Sequence, residues 1–99
     1  MEFVLSVLNQ GLSNTDDLLK LSSPNHYMYN KLMMKKNDFE SSINFLHGGE
    51  INHIPDYSIS RLKCQLNWLR YDENLHRDDI NEVNECIKKL TYGAKTLSD

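Results

Sequence analysis

YSISRLKCQLNWLRY, residues Tyr57 to Tyr71, carries two apolar stripes on opposite sides of what the spacing predicts to be one helix. At about 100° per residue, Ile59, Leu62, Leu66 and Leu69 fall on one face, and Tyr57, Cys64, Trp68 and Tyr71 on the other. A surface helix needs only one apolar face. Ser58, Arg61 and Gln65 on one flank, with Lys63, Asn67 and Arg70 on the other, keep the helix from being apolar all round. It is therefore expected to lie between two layers of partners, and the function turns on whether both layers are internal or one belongs to another protein.

The flanking sequence is helical throughout, and no segment alternates with the period of a strand for more than a few residues. A short helix is predicted over Glu2 to Gln10, stopped by Gly11, and a second begins with Asn14 or Thr15 as its cap and runs to Leu21. Ser22-Ser23-Pro24-Asn25 breaks the chain. His26 to Lys36 reads as a third helix with Met28 and Leu32 buried, interrupted at Asn37-Asp38, which caps a fourth segment carrying Phe39, Ile43 and Leu46. His47-Gly48-Gly49 is a strong C-terminal stop, and Glu50 to Pro55 is a loop that leads into the two-faced helix. After a polar turn at Asp72 to Arg77, Asp79 and Glu82 have the spacing of a capping box. Ile80, Val83, Ile87, Leu90, Ala94 and Leu97 form one seam of the last helix. The expected fold is all-α, a single small helical domain over residues 1–99, built of short antiparallel helical hairpins.

Composition narrows the function. A net charge of -3, with the 11 Lys and Arg residues scattered, offers no basic stripe for phosphates, so nucleic acid is not an expected partner. No apolar run has the length needed to span a bilayer, and the opening MEFVLSVLNQ lacks the pattern of a cleaved leader, so a cytoplasmic location without membrane insertion is expected. Cys64 and Cys86 read as reduced thiols within helices rather than a disulfide framework.

Chemistry-bearing motifs all have plainer readings. The pairs Asp16-Asp17 and Asp78-Asp79 sit where helix N-termini favour negative charge. His47, Glu50 and His53 lie close in sequence but on a loop, with no local cysteine, and are not expected to bind a metal. No phosphate-cradling glycine loop and no nucleophile-base arrangement is present, so neither an enzyme nor a cofactor is expected. Met28, Met33 and Met34 read as core packing, although flexible thioethers also suit adaptable binding grooves.

Met28 and Leu62, Leu32 and Leu66, Lys36 and Arg70, and Asp38 and Asp72 pair at a spacing of 34 residues, the period of tetratricopeptide helix pairs. Within Lys31 to Leu75 the cues are Leu32-Met33 before a polar pair, Asn37-Asp38-Phe39 leading into Ser42-Ile43, the Pro55-Asp56 entry, and Leu62-x-Cys64-x-x-x-x-Trp68-Leu69. In these residues the chain resembles the divergent tetratricopeptide core of the YscG/PscG/EscG-type needle-subunit chaperones of type III secretion systems. The resemblance implies a stack of helical hairpins whose concave surface holds the amphipathic helix of a needle subunit and prevents its premature polymerisation. It also implies a small helical co-chaperone as a second partner in a hetero-oligomer. On this reading Tyr27, Met28, Leu32, Leu62, Leu66 and Leu69 are expected to line or neighbour the partner groove. The alternative is a small helical inhibitor or adaptor of phage or mobile-element origin that binds a host protein.

Overall fold

The computed structural model describes the backbone of residues 1–98 and the side chains of residues 1–93; the expected seam residues Ala94 and Leu97 lie outside the described side chains. The described residues form four α-helices and no strand: α1 (Glu2–Leu21), α2 (Tyr29–Leu46), α3 (Asp56–Leu69) and α4 (Arg77–Ser98), with a 3-10 turn at Arg70–Asp72 after α3. α1 packs most extensively on α2, and α3 on α4. The least dimension is 19 Å, which is room for two layers of helices at ordinary interaxial distances of about 8–10 Å. One core lies between the layers. It is made by Val4, Val7 and Leu8 of α1, Phe39 of α2, the aliphatic stripe of α3 and Val83, Cys86 and Leu90 of α4, closed by Ile51 from the loop before α3.

The expected breaks at Gly11 and Asn37-Asp38 do not occur. Helix α1 runs unbroken through Gly11 because the Phe39 ring packs directly against the backbone there: a Cβ built on Gly11 would lie 2.8 Å from Phe39 Cζ. Glycine in a helix interior costs about 1 kcal/mol relative to alanine, and here its lack of a side chain is what lets α2 approach. Thr15, expected as a cap, instead lies inside α1 and donates its hydroxyl hydrogen to the Gly11 carbonyl at 2.8 Å. Gly93 repeats the arrangement within α4, where a Cβ would collide with the Phe45 ring. Two phenylalanines of α2 thus each seat against a glycine on a neighbouring helix.

Asn37-Asp38 likewise does not interrupt α2. Asp38 is buried, and its carboxylate caps a different helix. Oδ2 accepts the Tyr57 N–H at 3.1 Å and Oδ1 the Ser58 N–H at 2.8 Å, while the Ser58 hydroxyl donates to the same Oδ1. α3 starts after Pro55, whose side chain offers no acceptor for the free N–H groups of the first turn. The acceptor comes from α2, and as a carboxylate it also faces the positive end of the helix dipole. Glu82 is diverted in the same way. α4 begins at Arg77, so Asp78 and Asp79 fall within its first turn and no Asp79–Glu82 capping box forms. The Glu82 carboxylate instead accepts the Val4 N–H and pairs with the Met1 ammonium, capping α1.

The stop at Gly48-Gly49 is present. Gly48 has φ +104°, the Gly49 N–H donates to the Asn44 carbonyl at 2.9 Å, and the Gly48 N–H donates to that of Phe45 at 3.0 Å, which is the bonding of a Schellman motif. The spacing of 34 residues does not map onto a helix-pair repeat. It carries Leu32 of α2 onto Leu66 of α3, the next helix, whereas a helix-pair repeat would carry each helix onto the next but one.

Replacing Gly11 with alanine is expected to destabilise the chain by about 1–3 kcal/mol in urea unfolding, against the direction of helix propensity. A second change, Phe39→Leu, in the Gly11→Ala background is expected to cost less than it does alone, since the two positions share one contact. Asp38→Ala leaves the first turn of α3 with orphaned N–H groups and is expected to cost roughly 2–3 kcal/mol. Ser58→Ala removes only one of the donors to that carboxylate, and the same measurement should give a smaller loss.

Candidate partner-binding groove

The phase of α3 decides which of its two stripes is available. Ile59, Leu62, Leu66 and Leu69 all point into the core, with Leu62 fully enclosed. The opposite face divides into two parts. Near the start of α3, Tyr57 and Cys64 line an open groove of about 320 Å³; near its end, Trp68 is 71% and Tyr71 86% exposed, with ring centroids 5.9 Å apart. Aliphatic side chains have no polar atom to satisfy and go inward, whereas Tyr, Trp and Cys tolerate a wet edge.

Three helices build the groove. α1 contributes Gly11, Asn14, Thr15 and Leu18, which recur at the spacing of one helix face; α2 contributes Lys35 and Phe39; α3 contributes Ser60 and Arg61 beside Tyr57 and Cys64. Phe39 is buried and forms the base, its ring packed against the Gly11 backbone, so that both residues line the groove. The position of Tyr57 is tied to the cap, because its own N–H is one of the two that Asp38 holds.

The groove is cationic as well as apolar. No Asp, Glu or His is among its described lining residues. Lys35 Nζ sits 5.5 Å from the centroid of the Tyr57 ring, within the range of a cation–π contact. The nearby Asp16 carboxylate is engaged at 3.1 Å by Lys36, whose ammonium is held above its ordinary pKa chiefly by that hydrogen bond. Arg61 forms no ion pair with a described carboxylate, and its Nε is enclosed without a hydrogen-bond partner. Cys64 is exposed, while burial raises the pKa of the Cys86 thiol in the core.

Of the six residues expected at a partner groove, none lines this one. Leu32, Leu62, Leu66 and Leu69 are buried in the chain's own packing, so their surface is already used. Met28 is half-buried at the N-cap of α2, and Tyr27 is 85% exposed in the preceding turn, where its ring stacks on His26. The groove residues were visible in part, since Tyr57 and Cys64 belong to the second stripe. The aliphatic stripe drew attention by its greater apolar content, and it is the stripe the fold buries; an aliphatic stripe opposite an amphipathic one is the pattern of a core face opposite a surface face. Gly11 and Phe39 carried no local signal, because their pairing joins two helices.

Among the described residues no three His, Cys, Asp or Glu side chains group so as to hold a metal ion. No described helix is long and apolar enough to cross a membrane. Comparison of the chain with protein-family models, with curated proteins and with solved structures finds no match.

The phase of α3 has a direct consequence. Leu66→Glu places an unpaired charge in the core and is expected to destabilise the chain by roughly 4 kcal/mol or more, enough to abolish a cooperative thermal transition in a domain of this size. Trp68→Glu is expected to keep the wild-type circular dichroism and a melting midpoint within a few degrees. A cooperative Leu66→Glu and an unfolded Trp68→Glu would mean that α3 is turned the other way.

Proposed function

We propose that this chain is a non-catalytic interaction protein that holds an amphipathic helix of another protein in the groove between α1, α2 and α3. The observation that carries this reading is the second face of α3. It is apolar in sequence, it opens onto a groove walled by two other helices, and Cys64, Trp68 and Tyr71 on it are exposed. A groove of about 320 Å³ is at the small end of the range of ligand pockets, roughly 300–1,000 Å³. It suits the anchoring side chains of a helix laid across it, the helix-in-groove mode of recognition. Trp68 and Tyr71, paired outside the groove, are exposed, and exposed aromatics of this kind are common anchors of protein interfaces.

The specific form of the proposal follows from the resemblance of residues 31–75 to needle-subunit chaperones of type III secretion. In that form the chain is a cytoplasmic chaperone, and its two helix pairs, α1 with α2 and α3 with α4, are the stacked hairpins of a divergent tetratricopeptide-like array. It covers the assembly helix of a needle subunit until export, together with a small helical co-chaperone. Burial of the helix's apolar area, at about 25 cal/mol per Å² less the cost of ordering the partner, would supply the affinity.

Titration calorimetry with a synthetic assembly helix of a type III needle subunit tests both levels. Binding is expected, and Cys64→Trp, which fills the groove from its exposed edge, is expected to weaken it by about tenfold or more without unfolding the chain. Binding that is indifferent to Cys64→Trp would exclude the groove. A folded chain that ignores this peptide but binds another amphipathic helix through the groove would exclude the needle-subunit form alone.

A further inference from the structure

We infer that the groove selects helices that carry a carboxylate beside their apolar residues, and that Arg61 is the residue that reads it. The inference rests on the groove reading above and adds a chemical identity to the occupant. It follows from an imbalance of charge. Although the chain as a whole is negative, at -3, the groove is lined by two cations and no described carboxylate. The two cations are not equivalent. Lys35 already lies over the face of Tyr57, while Arg61 lines the groove with no ion pair or hydrogen bond to a described residue.

Its Nε is enclosed by the chain and closed to a ligand, so the two terminal amino groups are the part of the guanidinium left to meet an anion brought by a ligand. No described carboxylate lines the groove to serve it, and Asp16, which follows Thr15 on α1, is bound to Lys36. Arginine suits the task better than lysine, because its planar fork can grip a carboxylate with two parallel hydrogen bonds and so fix the register of the helix that carries it. The apolar base at Phe39 and the edge at Leu18 then take the side chain one turn away from that carboxylate. Acidic helices are repelled in general by a chain of net negative charge, so the pairing with Arg61 supplies register and specificity more than long-range attraction.

A yeast-displayed library of amphipathic peptides about 18 residues long, with leucines at i, i+3, i+4 and i+7 and Ala, Gln, Glu or Lys elsewhere, provides the test. It is selected in parallel against the wild-type chain and against Arg61→Met, which keeps the apolar stem and removes the fork. Wild type is expected to enrich Glu at one fixed position beside the leucines. Arg61→Met is expected to keep the leucine preference and lose the Glu preference. In the leading peptide, Glu→Gln should weaken binding to wild type by about tenfold and to Arg61→Met by less than about twofold. Asn14→Asp, an exposed change on the α1 wall, gives the groove a carboxylate of its own and should weaken the acidic peptide without altering the melting midpoint.

Enrichment with no acidic preference, or with the same preference in Arg61→Met, overturns the inference and leaves the groove reading in place. Failure to enrich any peptide, or enrichment indifferent to Cys64→Trp, overturns both. A dimer in analytical ultracentrifugation that Cys64→Trp dissociates would assign the groove to a second copy of the chain and likewise overturn the inference.

Discussion

The carboxylate of Asp38 anchors the first turn of α3 on α2, and most of what distinguishes this chain depends on that anchorage. Of the two apolar stripes the aliphatic one is the better suited to the core, and the cap reinforces that choice. By binding the N–H groups of Tyr57 and Ser58, together with the Ser58 hydroxyl, Asp38 ties the first turn of α3 to the middle of α2. Directional bonds between buried groups carry a larger penalty when they are broken than their net contribution when made. The aliphatic stripe is therefore held inward and the Tyr57–Cys64 face outward. Pro55 at the N-cap makes the dependence stronger, since α3 has no cap of its own.

Next to Asp38 on α2, Phe39 connects packing to the surface. Its ring fills the space left by Gly11 and so brings α1 and α2 together, and the same ring forms the base of the groove. Core and groove share their parts: Asp38 and Phe39 are consecutive residues, as are Tyr57 and Ser58. A structural cap and a structural contact thus fix the relative positions of three helices, and the groove lies where those helices fail to close over one another. Its charge then follows from which polar residues happen to face it, with Arg61 and Lys35 present and the acidic residue nearby already paired.

The helical class, the Gly48 stop and the two stripes of α3 were legible in the sequence because each is a local pattern of period or turn chemistry. The merging of six expected segments into four helices was not. Gly11 and Asn37-Asp38 look like breaks when only neighbours in sequence are considered. Both are explained by contacts with residues far along the chain: Phe39 for Gly11, and the start of α3 for Asp38. Glu82 shows the same limit, since a capping-box spacing within α4 is set aside for a bond to α1. The choice between the stripes was in principle readable from aliphatic against amphipathic side chains. Ile51 was not, because nothing in a loop's sequence reveals that one of its residues closes the core.

The outward face of α3 as the partner face is tested most directly by NMR, recording amide and methyl shifts of the chain as an amphipathic helical peptide is added. Shifts are expected at Gly11, Thr15, Lys35, Tyr57, Arg61 and Cys64, with the methyl groups of Leu62, Leu66 and Leu69 keeping their free-state positions. Large shifts of those leucine methyl groups, with Tyr57 and Cys64 unmoved, would contradict it, because the partner would then be entering the core face that Asp38 holds inward.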